Sequence, residues 1–475
     1  MKWIRAGLLA GAASVILAPA AHAAATQQQI DQLQQEVDSL SAQLSDLKRS
    51  TSAQYVDVQA KPADPDAVKV SLKGGKPVFK TADGNFTFEP RILVQYDSAY
   101  YAQGHVPGGV DFDSGSNFRR ARFGVDGTLF KDWSYEFIYD FGGSGAETTG
   151  ISSAYLQYNG LGDVHLKIGA YAPPESFDDT TAVTDLLFLE RAQPTDLARG
   201  IAGSDGRDAA TIFAYDDNYF AALSYTGGVT GQTAIFDEQQ ALVGRAAYRL
   251  VNTPDANLAI GADSSYVFKI GDLAPDTGLL NTFSLSERPE LNVDDNNVKL
   301  ISTGSLFASK VWQWGLEAAG NWKSLYGQGG YYNYHVDRNG LGVNDASFDG
   351  WYAQASWVLT GEERTYVPSK GSFAAPKPNN PFDFDQAGIG AWELAARYSV
   401  LNLDSDEGAA GFATPVNGVR GGEQKIWSAG ISWYPNTAVR FMLDFQHTDV
   451  TRLDALGGNA DAKLDAVSLR TQFAL

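Results

Sequence analysis

An all-β chain is predicted, a 16-stranded antiparallel transmembrane β-barrel preceded by a short N-terminal coiled-coil helix. Three observations predict it. Apolar and polar residues alternate with a period of two in about sixteen segments of roughly 8–11 residues between residue 68 and the C-terminus, many ending in an aromatic residue. The one long apolar run sits at the extreme N-terminus and is too short to cross ~30 Å of hydrocarbon. The composition, 12% aromatic with 49 Gly, two Met and no Cys in 475 residues, is unlike a helical core. Absence of Cys excludes disulfide scaffolds, thiolate metal sites and thiol nucleophiles. A net charge of −20 opposes nucleic-acid binding, which needs a basic footprint.

Residues 1–23 have the layout of an export signal. Lys2 and Arg5 precede an apolar stretch from Ala6 to Ala18, and Ala21-His22-Ala23 offers small residues for cleavage, with Ala25 as a second possible end. Removing this segment takes two bases and no acid, so the mature chain carries −22 and lies outside the cytoplasm. Next, Ile30, Leu33, Val37, Leu40, Leu44 and Leu47 are spaced 3, 4, 3, 4, 3, a heptad seam over 27–49. Three heptads are marginal alone, so the seam calls for partner helices, as a dimer or trimer. The alternative is an amphipathic helix docked on its own barrel. Residues 50–67, with Pro62 and Pro65, are expected to form a linker.

The barrel is expected over 68–475. Val439, Phe441, Leu443 and Phe445 alternate with Arg440, Asp444 and Gln446, and Trp133, Tyr135, Phe137 and Tyr139 with Ser134, Glu136 and Asp140. At the C-terminus Val467, Leu469 and Phe473 oppose Ser468, Arg470 and Gln472. A soluble sandwich would turn its apolar face inward on shorter strands. In lipid only closure removes the unpaired sheet edge. Residues 271–298, 323–349 and 364–390 exceed ordinary turns and are expected to be extracellular loops. The last holds Pro368, Pro376, Pro378 and Pro381 and cannot be a regular strand.

Phe118-Arg119-Arg120-Ala121-Arg122, continuing through Gly127-Thr128-Leu129-Phe130-Lys131-Asp132-Trp133, resembles the signature hairpin of the phosphate-selective porins O and P. Leu189-Glu190-Arg191, Gly350-Trp351-Tyr352-Ala353-Gln354 with Leu359-Thr360-Gly361-Glu362, Gly390-Ala391-Trp392-Glu393-Leu394, and Trp433-Tyr434 follow in the same order. The resemblance covers 68–475. It implies a homotrimeric Gram-negative outer-membrane barrel set in lipid and lipopolysaccharide, with an inward-folded third loop and, in some relatives, a periplasmic coiled coil. The implied activity is passive diffusion of small hydrophilic solutes, anions such as phosphate among them, with no cofactor and no metal. A general or cation-leaning porin is the alternative reading, and a structural envelope protein a weaker one.

The resemblance carries an anion-binding pair onto Arg119 and Arg120. Alternation turns Arg120 and Arg122 into the lumen and leaves Arg119 on the other parity, at the rim. Arg191, Arg199 and Arg207 come from the constriction-loop candidate, 171–209. Arg91 and Arg440, like Arg397 and Arg470, share the polar parity of their strands. Guanidinium groups stay charged and grip oxyanions bidentately. The plainer alternative is that these arginines balance Glu136 and Asp140. Lys69, Lys73, Lys76 and Lys80 are either an anion-drawing entrance or an ordinary basic rim. Two features depart from the family pattern. The constriction-loop lysine falls on Thr184, beside Asp185, and the arginine ladder near 281–298 is reduced to Arg288 among Glu287, Glu290, Asp294 and Asp295.

Nothing in the chain favours catalysis. His105, His165, His335 and His447 are scattered, and Ser432 and Ser468 face the lumen with no histidine forced near them. Asp404, Asp406 and Glu407 lie in a polar stretch without a cation-binding spacing.

Overall fold

The computed structural model describes residues 27–59, 67–73, 75–143, 149–231, 237–272, 281–340 and 342–475. The expected export signal over 1–23 lies outside them, as do residues 60–66 of the expected linker. The chain divides into two units, Met1–Pro65 and Asp66–Leu475.

The first unit contributes α1 (Gln27–Gln59). It carries the heptad positions but does not stop at residue 49. Ser50–Gln59, expected as linker, continues the helix, because no Gly or Pro interrupts the chain before Pro62. Along it Val37, Leu40, Leu44 and Leu47 are 57–67% exposed in the single chain.

The second unit is a closed antiparallel barrel of 16 strands. In chain order they are β1 (Thr87–His105), β2 (Gly115–Leu129), β3 (Trp133–Asp140), β4 (Gly150–Leu161), β5 (Val164–Tyr171), β6 (Arg207–Tyr215), β7 (Tyr219–Val229) and β8 (Gln240–Asn252). They continue as β9 (Ala256–Lys269), β10 (Leu306–Trp322), β11 (Leu325–Arg338), β12 (Ala346–Val358), β13 (Ala391–Ser405), β14 (Val419–Tyr434), β15 (Val439–Thr451) and β16 (Ala462–Ala474). Each pairs with the next, and β16 closes the ring on β1, with Arg470 opposite Asp97 and Phe473 opposite Val94. A hairpin, Val68–Lys73 with Lys76–Thr81, precedes β1 and joins its start through Phe79 opposite Phe88.

The period of two explains which side faces what. Phe123, Phe137, Ile168, Leu316, Leu443 and Val467 point outward and are exposed, as a lipid-facing band must be. Gln95, Ser224, Gln313, Gln424 and Arg470 point inward and are buried. Aromatic pairs such as Trp133 with Tyr158 and Trp392 with Trp433 ring one end, and Tyr398 with Trp427 lies towards the other.

Short turns of a few residues sit at 130–132, 162–163, 216–218, 253–255, 323–324 and 435–438, all at one end. By the barrel convention this end is periplasmic. Segment 359–390 joins β12 to β13 at this same end, so the expectation of an extracellular loop at 364–390 is corrected: counting strands puts it beside the turns. The loop expected over 323–349 is mostly β11, a Tyr- and Gly-rich strand of the wall. The expected loop at 271–298 does lie within the long β9–β10 connection, 270–305.

Three segments enter the barrel. The third loop, 172–206, carries α2 (Phe177–Thr180) and α3 (Gln193–Ala202). Leu197, Ala198 and Ile201 of α3 pack with Leu285 and Leu291 of the fifth loop, the β9–β10 connection 270–305, and with Val311 and Tyr334 of the wall. Phe177, Leu187 and Phe188 pack with Phe220, Tyr326 and Phe373, the last from segment 359–390. The lumen is therefore solid along β8–β15 and open beside β2–β6.

Candidate solute path through the lumen

A loop that leaves water for a barrel interior carries carbonyls that need donors. Arginines from the wall, and one from segment 359–390, supply them. Arg440 donates to Thr184 O and Leu186 O at 3.2 and 2.7 Å, and Arg397 to Glu190 O at 3.0 Å while pairing with Glu290. Arg470 donates to Leu189 O at 2.7 Å and holds both oxygens of Asp97 at 2.6 Å. Arg364 donates to Asp185 O at 2.8 Å and forks onto Glu393. Arg245 secures the other inserted segment, donating to Lys370 O and Gly371 O. Arg440, expected to face solute, is thus buried at 2% and committed to the loop.

Two polar cavities remain beside the loop. The outer one, about 310 Å³, lies between the third and fifth loops and β2. The inner one, about 570 Å³, lies between the third loop, β2–β7 and segment 359–390. They share Val183, Arg191 and Asp205, which places the neck of the path there.

Arg119 and Arg120 both line the outer cavity, at 7% and 6% exposure. Simple alternation fails for Arg119 because the register slips: Gln95 opposes Arg120 but Tyr96 opposes Phe118, so Arg119 is an extra residue in a bulge. Both guanidinium groups consequently turn inward, and the expected rim position of Arg119 is corrected. Arg119 forks onto Glu190 at 2.6 and 3.0 Å. Arg120 donates only to Gln95 Oε1, at 2.8 Å, and its Nε has no partner. Among the described residues no carboxylate lies within ion-pair distance of Arg120.

The other cations differ in how far they are committed. Arg122 pairs with Asp140 and Asp205 at 2.7 and 2.6 Å, and Arg199 with Asp179 and Asp205 at 2.7 and 2.8 Å. Arg191, at the neck, donates to Asp179 O and Thr181 O, and its Nε lies 3.9 Å from Asp179 Oδ1. Arg207 donates to Gly203 O and Gly227 O, and Arg91 pairs with Asp126 near the turns; neither lines a cavity. Of the basic hairpin, Lys76 pairs with Glu89 at 2.5 Å.

Three lining cations escaped sequence reasoning: Lys299 on the outer cavity, and Lys167 and Lys370 on the inner one. Lys167 of β5 lies over the rings of Tyr155 and Tyr171 at 3.6 and 4.0 Å and lines the inner cavity. Its lumen parity between Leu166 and Ile168 was a usable signal. Lys370 reaches the same cavity from segment 359–390, and only the strand count could have revealed that.

The outer cavity is lined by six basic side chains (Arg119, Arg120, Arg191, Arg199, Arg288, Lys299) and five acidic ones (Glu190, Asp196, Asp205, Glu287, Glu290). The acids are not equivalent. Burial raises the Glu190 carboxyl, but Arg119 and Arg120 outweigh it and hold it far below the usual range. Burial and the nearby Asp196 push Glu287 up to about 8. Burial also raises Glu290 against the pull of Arg397. The inner cavity has four basic side chains (Arg122, Lys167, Arg191, Lys370) and three acidic (Glu136, Asp179, Asp205).

A family model described as "Phosphate-selective porin O and P" matches residues 91–475. Porin O of Pseudomonas aeruginosa is 26% identical over 423 residues, covering 86% of this chain and 92% of that protein. An uncharacterized protein of Caulobacter vibrioides is 25% identical, covering 89% and 80%. Among solved structures, the anion-selective porin from Comamonas acidovorans has 12% identity and a TM-score of 0.48, covering 82% of this chain and 100% of that one. The outer membrane channel DcaP of Acinetobacter baumannii has 11% identity and a TM-score of 0.46, covering 84% and 99%.

Proposed function

The chain belongs to the phosphate-selective porin O and P family, and from that premise we propose that it passes small inorganic oxyanions, phosphate included, along one side of its lumen. It is an outer-membrane porin, a passive channel rather than an enzyme. The observation that carries anion preference is Arg120, a lumen-facing guanidinium on the outer cavity with no ion pair among the described residues. An entering oxyanion exchanges part of its hydration shell for Arg120, passes Arg191 at the neck, and meets Lys167 and Lys370 beyond it. Several weak sites in series favour conduction, since each binds enough to admit the ion without trapping it. Arg119 and Arg122 act on this path mainly by fixing Glu190 and Asp205.

We also infer that the protein is a homotrimer, with α1 helices pairing through Leu33, Val37, Leu40, Leu44 and Leu47. Support comes from the heptad spacing and from Val37, Leu40 and Leu44, apolar side chains exposed along one stripe of α1.

A cation-leaning channel is the second reading. Asp196, Glu287 and Glu290 in the outer cavity favour it. Zero-current potential across a planar bilayer in a salt gradient, repeated with phosphate competing against chloride current, separates the two. Anion preference with phosphate block supports the proposal. Cation preference, or chloride current indifferent to phosphate, overturns it.

A further inference from the structure

We propose that His335, Asp337 and Asp345 form a binding site for a divalent transition-metal ion of the zinc class, on the outward face of the barrel where β11 gives way to β12. His335 and Asp337 are two apart on a strand and so share a face. Asp345 ends the 339–345 connection and returns to the same spot. His335 Nε2 lies 3.4 Å from Asp337 Oδ1 and 3.9 Å from Asp345 Oδ2. One ligand atom from each of the three residues lies within 4.8 Å of the others. Bonds of about 2.1 Å at a tetrahedral angle separate ligand atoms by about 3.4 Å, so the spacing accepts a zinc-sized ion with modest closure.

The surroundings prepare the site. His335 Nδ1 is 2.7 Å from Ser347 Oγ. With the serine accepting, Nε2 is left with its lone pair facing two carboxylates, the tautomer a metal ligand requires. The ring packs against Trp312 at 4.7 Å, which fixes its plane. Asp345 Oδ1 is engaged by the Arg338 backbone N–H at 2.9 Å, leaving Oδ2 for the ion, while the Arg338 guanidinium is drawn off to Asn417 O. The three side chains are 22%, 32% and 54% exposed, so an ion can enter from water. Three protein ligands leave the fourth position to water. A bound ion would tie Asp345 to β11 and fasten the 339–345 connection.

The test uses the full-length porin in detergent micelles after chelation. Zn²⁺ binding is followed by calorimetry and Co²⁺ binding by its visible ligand-field absorption. We expect one ion per chain, abolished by His335→Ala and by Asp337→Asn, and weakened about tenfold by Ser347→Ala. His447→Ala should bind like wild type. Asp345→Asn, on the connection, gives the same reading should a strand variant assemble poorly. No binding by the wild type, or binding unchanged in His335→Ala or Asp345→Asn, overturns the proposal.

Discussion

Replacing Arg120 with Gln removes one positive charge from a cavity whose basic and acidic side chains differ by one. Gln retains a polar group towards Gln95, so the change is mainly electrostatic. In a water-filled path at about 5 Å and a dielectric near 80, one unit charge is worth about 0.8 kcal/mol to a passing monovalent ion. That disfavours anions about fourfold and favours cations by the same factor, so the anion-to-cation permeability ratio falls on the order of tenfold. The assay is reversal potential across a planar bilayer at about 0.1 M salt, where charges act over about 10 Å; the effect should fade near 1 M. Arg91→Gln serves as control, because Arg91 pairs with Asp126 and lines neither cavity. A ratio in Arg120→Gln within twofold of wild type at low salt would refute the reasoning.

Other outcomes follow from the same geometry. Glu287, raised to about 8, is neutral well below that pH and charged above it. Anion preference should therefore decline between about pH 6 and about pH 9, and E287Q should hold the low-pH value throughout; a flat wild-type profile would contradict this. Arg470→Met leaves Asp97 buried without its partner, at a cost of about 3–5 kcal/mol. The heat-denaturation temperature should drop and single-channel conductance rise as the third loop loses its hold on Leu189, and unchanged conductance would show that the loop is seated by its other contacts. Leu33→Asp with Leu40→Asp should loosen the oligomer while each barrel stays folded; an unaltered trimer melting profile would dismiss the coil as a trimer clasp.

What was legible in the sequence was what depends on period alone. Val439–Phe445 and Trp133–Tyr139 announce their strands because lipid and water impose opposite chemistries on the two faces. Parity then placed Arg120 and Arg122 correctly, and Arg470 and Arg397 too. It failed at Arg119, because a bulge inserts one residue without any local signal. It could not show that Arg440, Arg397 and Arg470 serve loop carbonyls, since the carbonyls belong to residues some 200–280 positions away. Segment 359–390 was misplaced because its prolines mark a non-strand but not an end of the barrel. The helix beyond Arg49 was missed because the heptad stops there while nothing else prevents continuation.

Arg470 sits on β16, the strand that closes the ring on β1, and touches three things at once: Asp97 of β1, and Leu189 and Glu190 of the third loop. One guanidinium thereby fastens both the seam of the cylinder and the obstruction inside it. A barrel that shut with the third loop left outside would strand this guanidinium with half its acceptors, in a bore too wide for the outer cavity to exist. A closed barrel of the wrong calibre is thus less stable than the native one, and the gauge of the pore is tied to the seam that seals the wall.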